Sequence, residues 1–281
     1  MILVVAAVTG LLAARLGWLL LRPALSQAPF LRANHRGRTV PTAGGLVLAL
    51  ALLVVEAGRM VAGASGIGDR DGVPPTRIAV LVVVMGLALV GMADDLLGDR
   101  GADRGFRGHL RALMRGRLTT GGLKVVGGLA VSVIAVAVAT SPRSVGRLLM
   151  DALLVALAAN FGNLLDRAPG RLGKTGLALF VVLAVATRAS RSLSEVAVLM
   201  GSMAGLLLDD LHERVMLGDT GANALGAALG LGLVVTASPT VRTVALVVLV
   251  AANAASEVVS FSRVIEASPP LRALDTIGRR P

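Results

Sequence analysis

From one end to the other, long stretches without a charge alternate with short polar connections. A helix that crosses a bilayer needs about 20 predominantly apolar residues, and about 17 can suffice. Nine stretches meet this pattern, at about 1–21, 43–63, 77–97, 121–140, 147–165, 172–187, 194–208, 220–237 and 240–260. The first lacks a charged leading region and runs on to Leu21 with no polar boundary or small-residue cleavage site, so it reads as a retained helix rather than a signal peptide. The pattern predicts an all-α fold, a polytopic membrane helix bundle of about nine transmembrane helices. One transmembrane domain is expected over 1–261, followed by an amphipathic tail over 262–281. In that tail Val264, Ile265, Leu271, Leu274 and Ile277 stand among arginines around Pro269-Pro270, the pattern of an interfacial segment.

Composition agrees. With 55% hydrophobic and 16% charged residues, the chain is the opposite of a disordered one. The net charge of +11 is almost entirely arginine, Lys124 and Lys174 being the only lysines. The basic residues gather in alternate connections: Arg22, Arg32, Arg36 and Arg38 before the second stretch; Arg100, Arg104, Arg107, Arg111, Arg115 and Arg117 after the third; Arg167, Arg171 and Lys174 after the fifth; and Arg263, Arg272, Arg279 and Arg280 in the tail. By the positive-inside rule this predicts an N-terminus outside and a C-terminus in the cytoplasm of a bacterial cell membrane. The charge is then topological, and no nucleic-acid partner is implied. The absence of cysteine excludes disulfides and thiolate metal sites.

Ionisable residues near a bilayer are costly and point to function. Here they cluster at one side. The third stretch ends in Asp94-Asp95, adjacent carboxylates whose repulsion a hard divalent cation would relieve; a solvated helix end is the alternative. The fifth ends with Asn160, Asn163 and Asp166, spaced by three along one helix face, suited either to a nucleobase, sugar or metal or to interhelical hydrogen bonds. The eighth opens Gly218-Asp219-Thr220-Gly221, whose glycines and free N–H groups could receive a phosphate, and whose Asp219 or Thr220 could equally cap the helix. Asn34 to Gly45 carries Arg36, Arg38 and a glycine pair, for phosphate binding or for topology and packing. Lys124 is a phosphate contact or a snorkelling anchor. Asp209, Asp210 and Glu213 read as ordinary loop solvation, with a supporting role in metal binding as the alternative. Convergence of these clusters on one cytoplasmic cleft is the simplest explanation of their shared side.

Taken in order, Pro41-Thr42-Ala43-Gly44-Gly45, Asp94-Asp95, Asn160-x-x-Asn163-x-x-Asp166 and Gly218-Asp219-Thr220-Gly221 resemble the polyprenyl-phosphate N-acetylhexosamine-1-phosphate transferases, the MraY/WecA-like superfamily. The resemblance runs from about Asn34 to Gly226. It implies transfer of a sugar-1-phosphate from a UDP-sugar to a polyprenyl phosphate at the cytoplasmic membrane face, giving a polyprenyl-diphosphate-sugar and UMP for cell-envelope glycan synthesis. Mg²⁺, with Mn²⁺ as a substitute, is the implied cofactor. Carried over by position, Asp94 would contact or deprotonate the lipid phosphate with Asp95 beside it. Asp219 would bind metal, with Asp95 and Asp166 as further ligands. Asn160, Asn163 and Asp166 would line the nucleotide–metal site, with Lys124, Gly218 and Gly221 near the phosphates.

Three departures mark an atypical branch. The superfamily usually has a tenth helix, and nine are expected here. The superfamily's His-rich motif in a C-terminal cytoplasmic loop has no counterpart, the only histidines being His35, His109 and His212. The Asp of the Asn-Asn-Asp motif is followed by Arg167 rather than Gly, so Arg167 and Arg171 are candidates to replace the missing histidines as diphosphate contacts. The competing reading is a catalytically inactive homologue that binds polyprenyl phosphate or a lipid-linked precursor and regulates or scaffolds envelope assembly. A transporter fits less well, because transporter sites lie near the bilayer midplane and these acids lie at helix ends. A homodimer is left open.

Overall fold

The computed structural model describes residues 1–68, 72–97, 119–142 and 144–280. Among these, nine long helices occupy the nine apolar stretches: α1 (Ile2–Leu25), α2 (Gly45–Ala64), α3 (Pro75–Leu97), α4 (Thr120–Thr140), α5 (Val145–Leu165), α6 (Arg171–Ala186), α7 (Ser194–Leu211), α8 (Gly218–Thr236) and α9 (Pro239–Ser256). Two short helices, α10 (Phe261–Ala267) and α11 (Pro269–Thr276), form the tail. The starts are locally encoded: Thr119, Ser144 and Ser238 each accept a backbone N–H of the first turn, and Pro239 follows its cap at the position where a missing N–H costs nothing.

The nine long helices match the expected bundle and differ in how readily each would cross a membrane. Seven helices among the described residues are long and apolar enough to cross a membrane: α1 to α5, α7 taken from Arg191, and α9. At 16 residues α6 rises roughly 24 Å, short of a hydrocarbon core about 30 Å thick. The opening of α8 is diluted by Asp219, Asn223 and glycines. The protein is a multi-pass membrane protein, with the glycine-rich α8 placed at the centre of the bundle.

That placement follows from residue size. Without a hydrophobic drive between helices in lipid, close backbone approach at small residues holds a bundle together. Most of α8 is buried, and α2, α3 and α5 lie against it. A methyl group on Gly91 of α3 would sit 2.3 Å from the Asp219 carbonyl oxygen, and one on Gly45 of α2 only 2.0 Å from the Gly221 nitrogen. Outside this core α1 packs along α7, and α9 leans on α5 with most of its surface free for lipid. At the far end of the bundle Arg59 and Arg77 tie Glu56 to Glu195, joining α2, α3 and α7. There Asp151 of α5 also takes Arg147 and Arg242, fixing the start of α9.

The segment expected to be a plain loop before α2 contains a small antiparallel hairpin, β1 (Leu31–Ala33) and β2 (Thr39–Pro41), with Leu31 opposite Pro41. Its turn is made by Asn34, whose Oδ1 accepts the N–H groups of Arg36 and Arg38 at 2.9 Å each, and by Gly37 at φ +74°. The hairpin is short, and no alternation of apolar residues announces it.

Candidate active site

Chain reversal brings to one end of the bundle the ends of α3, α5 and α7 and the starts of α2, α4, α6 and α8. An open cleft of about 550 Å³ lies there. Its walls include Asp94, Asp95, Lys124, Asn163, Asp166, Arg167, Gly218 and Asp219 from the motifs, together with Asn34, His35, Asp210 and Glu213. The connection after α3 that carries Arg100, Arg104, Arg107, Arg111, Arg115 and Arg117 lies outside the described residues.

The first and last motifs are joined through backbone. Met216 N–H donates to the Pro41 carbonyl at 2.8 Å, and Gly44 and Gly45 donate to the carbonyls of Met216 and Leu217 at 3.0 Å each. Gly218 turns the chain into α8 at φ +66°, where a methyl group would meet the Thr42 carbonyl at 2.2 Å and Asp95 Oδ2 at 2.6 Å. The Gly44-Gly45 pair and Gly221 are thus packing glycines; none of the three lines the cleft.

Asp95 caps α8 from outside. Its Oδ1 accepts the Asp219 N–H at 3.0 Å; its Oδ2 accepts the Thr220 N–H at 3.0 Å and the Thr220 hydroxyl at 2.6 Å. Both oxygens are therefore engaged in holding the N-terminus of α8, which accounts for Asp95 without assigning it a metal. Arg32 of the hairpin in turn donates to the Asp95 and Leu96 carbonyls, closing the end of α3.

The neighbouring carboxylates face the cleft. Lys124 Nζ is hydrogen-bonded to Asp219 and stands 3.8 Å from Asp94 Oδ2, so one ammonium bridges the two helices' acids. Across the cleft, burial and then the carboxylates of Asp210, Asp219 and Asp95 push the pKa of Asp166 well above the usual carboxylate range. Among the described residues no three acidic or histidine side chains already form a metal cage. The donor set still suits Mg²⁺, which binds through one or two protein carboxylates and completes its shell with water and substrate phosphates. Asp219 and Asp166, with Asp94, are carboxylates of the cleft wall that could hold it.

Residues 77–237, more than half of the chain, match the family model described as "Glycosyl transferase family 4". The chain belongs to glycosyl transferase family 4. It is similar to the phospho-N-acetylmuramoyl-pentapeptide-transferase of Shouchella clausii, 27% identical over 213 residues that cover 70% of this chain and 61% of the relative. It is also similar to the phospho-N-acetylmuramoyl-pentapeptide-transferase of Deinococcus radiodurans, 29% identical over 194 residues, 66% of this chain and 59% of the relative. The chain spans about three fifths of the length of these curated relatives. The family match contains Asp94, Asp95, Lys124, Asn163, Asp166 and Asp219; the hairpin that forms the near wall of the cleft lies ahead of it.

Besides Gly221, two further residues expected in the site stand elsewhere. Asn160 is exposed and donates to Asn253 Oδ1 of α9 at 2.6 Å, while Asn253 donates to the Leu157 carbonyl, so it fastens α9 to α5. Three residues make most of a helical turn, and the 60° lag from Asn160 to Asn163 to Asp166 carries the first of them off the cleft face. Arg171 is buried at 5% exposure; its Nε and one terminal nitrogen donate to Asp275 at 2.8 and 2.9 Å, and its other terminal nitrogen donates to Ser262 Oγ. Arg167 stays exposed on the cleft wall.

Three acids expected to be merely solvated are buried. α7 runs to Leu211, further than its apolar stretch, and carries Asp209 and Asp210 inside. Asp209 is paired with Arg15 and Arg214. Asp210 accepts the Gly170 N–H at 3.0 Å and lines the cleft. Glu213 receives Asn34 Nδ2 at 2.7 Å, Arg36 at 3.3 Å and Arg38 at 3.8 Å, pinning the hairpin tip over the cleft. His35 is thereby set in the wall; burial lowers its pKa, Glu213 opposes, and Arg36, Arg279 and Arg171 add to the lowering. Asp210 was findable from sequence by the same sign as Asp94, an acid closing an apolar stretch. His35 carried no such sign.

Proposed function

We propose that this protein transfers a sugar-1-phosphate from a UDP-sugar to a polyprenyl phosphate at the cytoplasmic membrane face, releasing UMP and serving synthesis of an envelope glycan. The observation that carries the reading is the Asp94–Lys124–Asp219 cluster facing Asp166 across one cleft of a family 4 membrane bundle. The gathering of basic residues in the connections at that end supports the cytoplasmic orientation.

In the reaction a lipid-phosphate oxygen attacks the phosphorus that bears the sugar, the bond to the UMP phosphate breaks, and UMP leaves with that bond's electron pair. Such a displacement needs positioning and charge neutralisation more than covalent help. Asp94 would orient the lipid phosphate and take any proton it still carries. Lys124 would move from its carboxylate partners onto phosphate oxygens, and Arg167 would meet the donor diphosphate from the opposite wall. Asn163, in the cleft wall, would meet the nucleotide or sugar, and His35, whose pKa burial lowers, would add a donor and an acceptor. Asp95 would act through α8, by keeping Asp219 in place. Mg²⁺, held by Asp219 and Asp166 with Asp94, would supply charge neutralisation on the diphosphate.

The test is UMP release by purified protein given Mg²⁺, undecaprenyl phosphate and a panel of UDP-sugars, with Asp94→Asn as control. Release that vanishes in the variant is expected. Binding of undecaprenyl phosphate with no release from any donor would instead establish a non-catalytic lipid-binding role.

A further inference from the structure

The tail poses a physical question. Neither α10 nor α11 buries a residue, and helices of seven and eight residues do not persist in water unaided. One side of the tail is held by polar contacts to the bundle. Lys174 Nζ donates to the carbonyls of Leu274, Asp275 and Ile277 at 2.7 to 3.0 Å, satisfying the end of α11. Asp275 takes Arg171 and Arg279, whose Nε donates to the Pro169 carbonyl at 2.9 Å. Pro169 belongs to the cleft wall. Burial pulls the Asp275 pKa up, and the hydrogen bonds from Arg171 and Arg279 outweigh it, holding the carboxylate ionised for this role.

The other side is apolar and uncovered. Leu271, Leu274, Ile277 and Val264 are 44%, 62%, 59% and 46% exposed, with Arg263 and Arg272 beside them. Water is a poor partner for such a face, and its position names a better one. α9 is long and apolar enough to cross a membrane and shows lipid-facing Val244, Val247 and Val248; it ends at Ser256, five residues before α10 begins. The tail therefore emerges close to the bilayer surface, with these apolar side chains exposed.

We propose that residues 261–280 form a strap whose partner is the surface of the bilayer that α9 crosses, with the Asp275 latch coupling that lipid contact to the Asp166–Pro169 wall of the cleft. Seating apolar side chains at the headgroup–acyl boundary while arginines stay among the headgroups is the ordinary arrangement of an interfacial helix. The inference requires only a bilayer-embedded protein and stands apart from the transferase reading.

Because the chain has no cysteine, a nitroxide label at Leu271→Cys or Leu274→Cys is unique. In vesicles of phosphatidylcholine and phosphatidylglycerol, both labels should collide more with oxygen than with a water-soluble nickel chelate, as a label at Val248→Cys should and one at Arg280→Cys should not. Labels at both positions that favour the chelate would overturn the membrane contact. For the coupling, a label at Ala168→Cys should show a narrower, more mobile spectrum when Asp275→Asn is added, and regain its breadth with Asp275→Glu. An unchanged spectrum in Asp275→Asn would overturn the latch. Neither readout depends on activity.

Discussion

Asp95 is where two roles for one carboxylate can be separated by a single substitution. Asp95→Asn keeps the size of the side chain and one acceptor oxygen, which can still receive the Asp219 N–H. The second oxygen becomes an amide NH₂ that cannot accept from Thr220, whose N–H then faces a donor in a site where Thr220 is 0% exposed. The Thr220 hydroxyl can rotate to accept from the new amide, so the net loss is one backbone bond to a charged acceptor. Such a bond contributes about 1.5–3 kcal/mol, and an unpaired buried donor costs a similar amount, which places the expected destabilisation at about 2–3 kcal/mol. Asp95→Ala abandons all three bonds and should cost more. The assay is denaturant unfolding of detergent-solubilised protein in chelator, alongside Mn²⁺ titration of the native form. A cap predicts lower metal-free stability, with divalent affinity reduced only as far as α8 shifts. Metal-free stability within about 0.5 kcal/mol of the parent, the scatter of ordinary surface substitutions, together with abolished Mn²⁺ binding, would refute the cap and make Asp95 a ligand.

Lys124→Ala should lower UMP release by about 10²-fold or more, the effect of removing a preorganised charge from a displacement at phosphorus, while Mn²⁺ binding without nucleotide tightens because its competitor on Asp219 is gone; calorimetry reads the second arm. Since burial and neighbouring acids raise the Asp166 pKa, the folded protein binds a proton there that the unfolded chain releases, so metal-free stability should fall as pH rises from the ordinary carboxylate range through the raised value. By the same linkage divalent binding should release a proton and weaken as pH drops, visible as buffer-dependent binding heats. Asn160→Ala and Asn253→Ala should each destabilise by about 1 kcal/mol with a coupling of similar size, and leave the KM for UDP-sugar unchanged. A raised KM in Asn160→Ala alone would return that residue to the substrate site.

The apolar runs alone fixed the class, the number and the approximate limits of the nine long helices, because a chain in lipid must satisfy its backbone within helices and must be apolar enough to stay there. The acids and amides closing those runs were legible too, since ionisable groups at a bilayer edge are rare without a reason. What sequence could not assign was the duty of each. Asp94 and Asp95 are adjacent, chemically identical and both in the cleft wall, yet only Asp95 caps α8, a division made by the helix turn and by where Gly91 lets α8 approach. Asn160 and Asn163 share a spacing rule but not a partner, because α9 arrives on one flank only. Arg171, a plausible phosphate contact in a linear reading, is claimed by Asp275 more than a hundred residues later. Asp210, Glu213 and His35 join the site only through the folding back of α7 and the hairpin. Local pattern decided which segments enter the membrane; the electrostatics of the cleft depend on which charges meet, and only helix packing decides that.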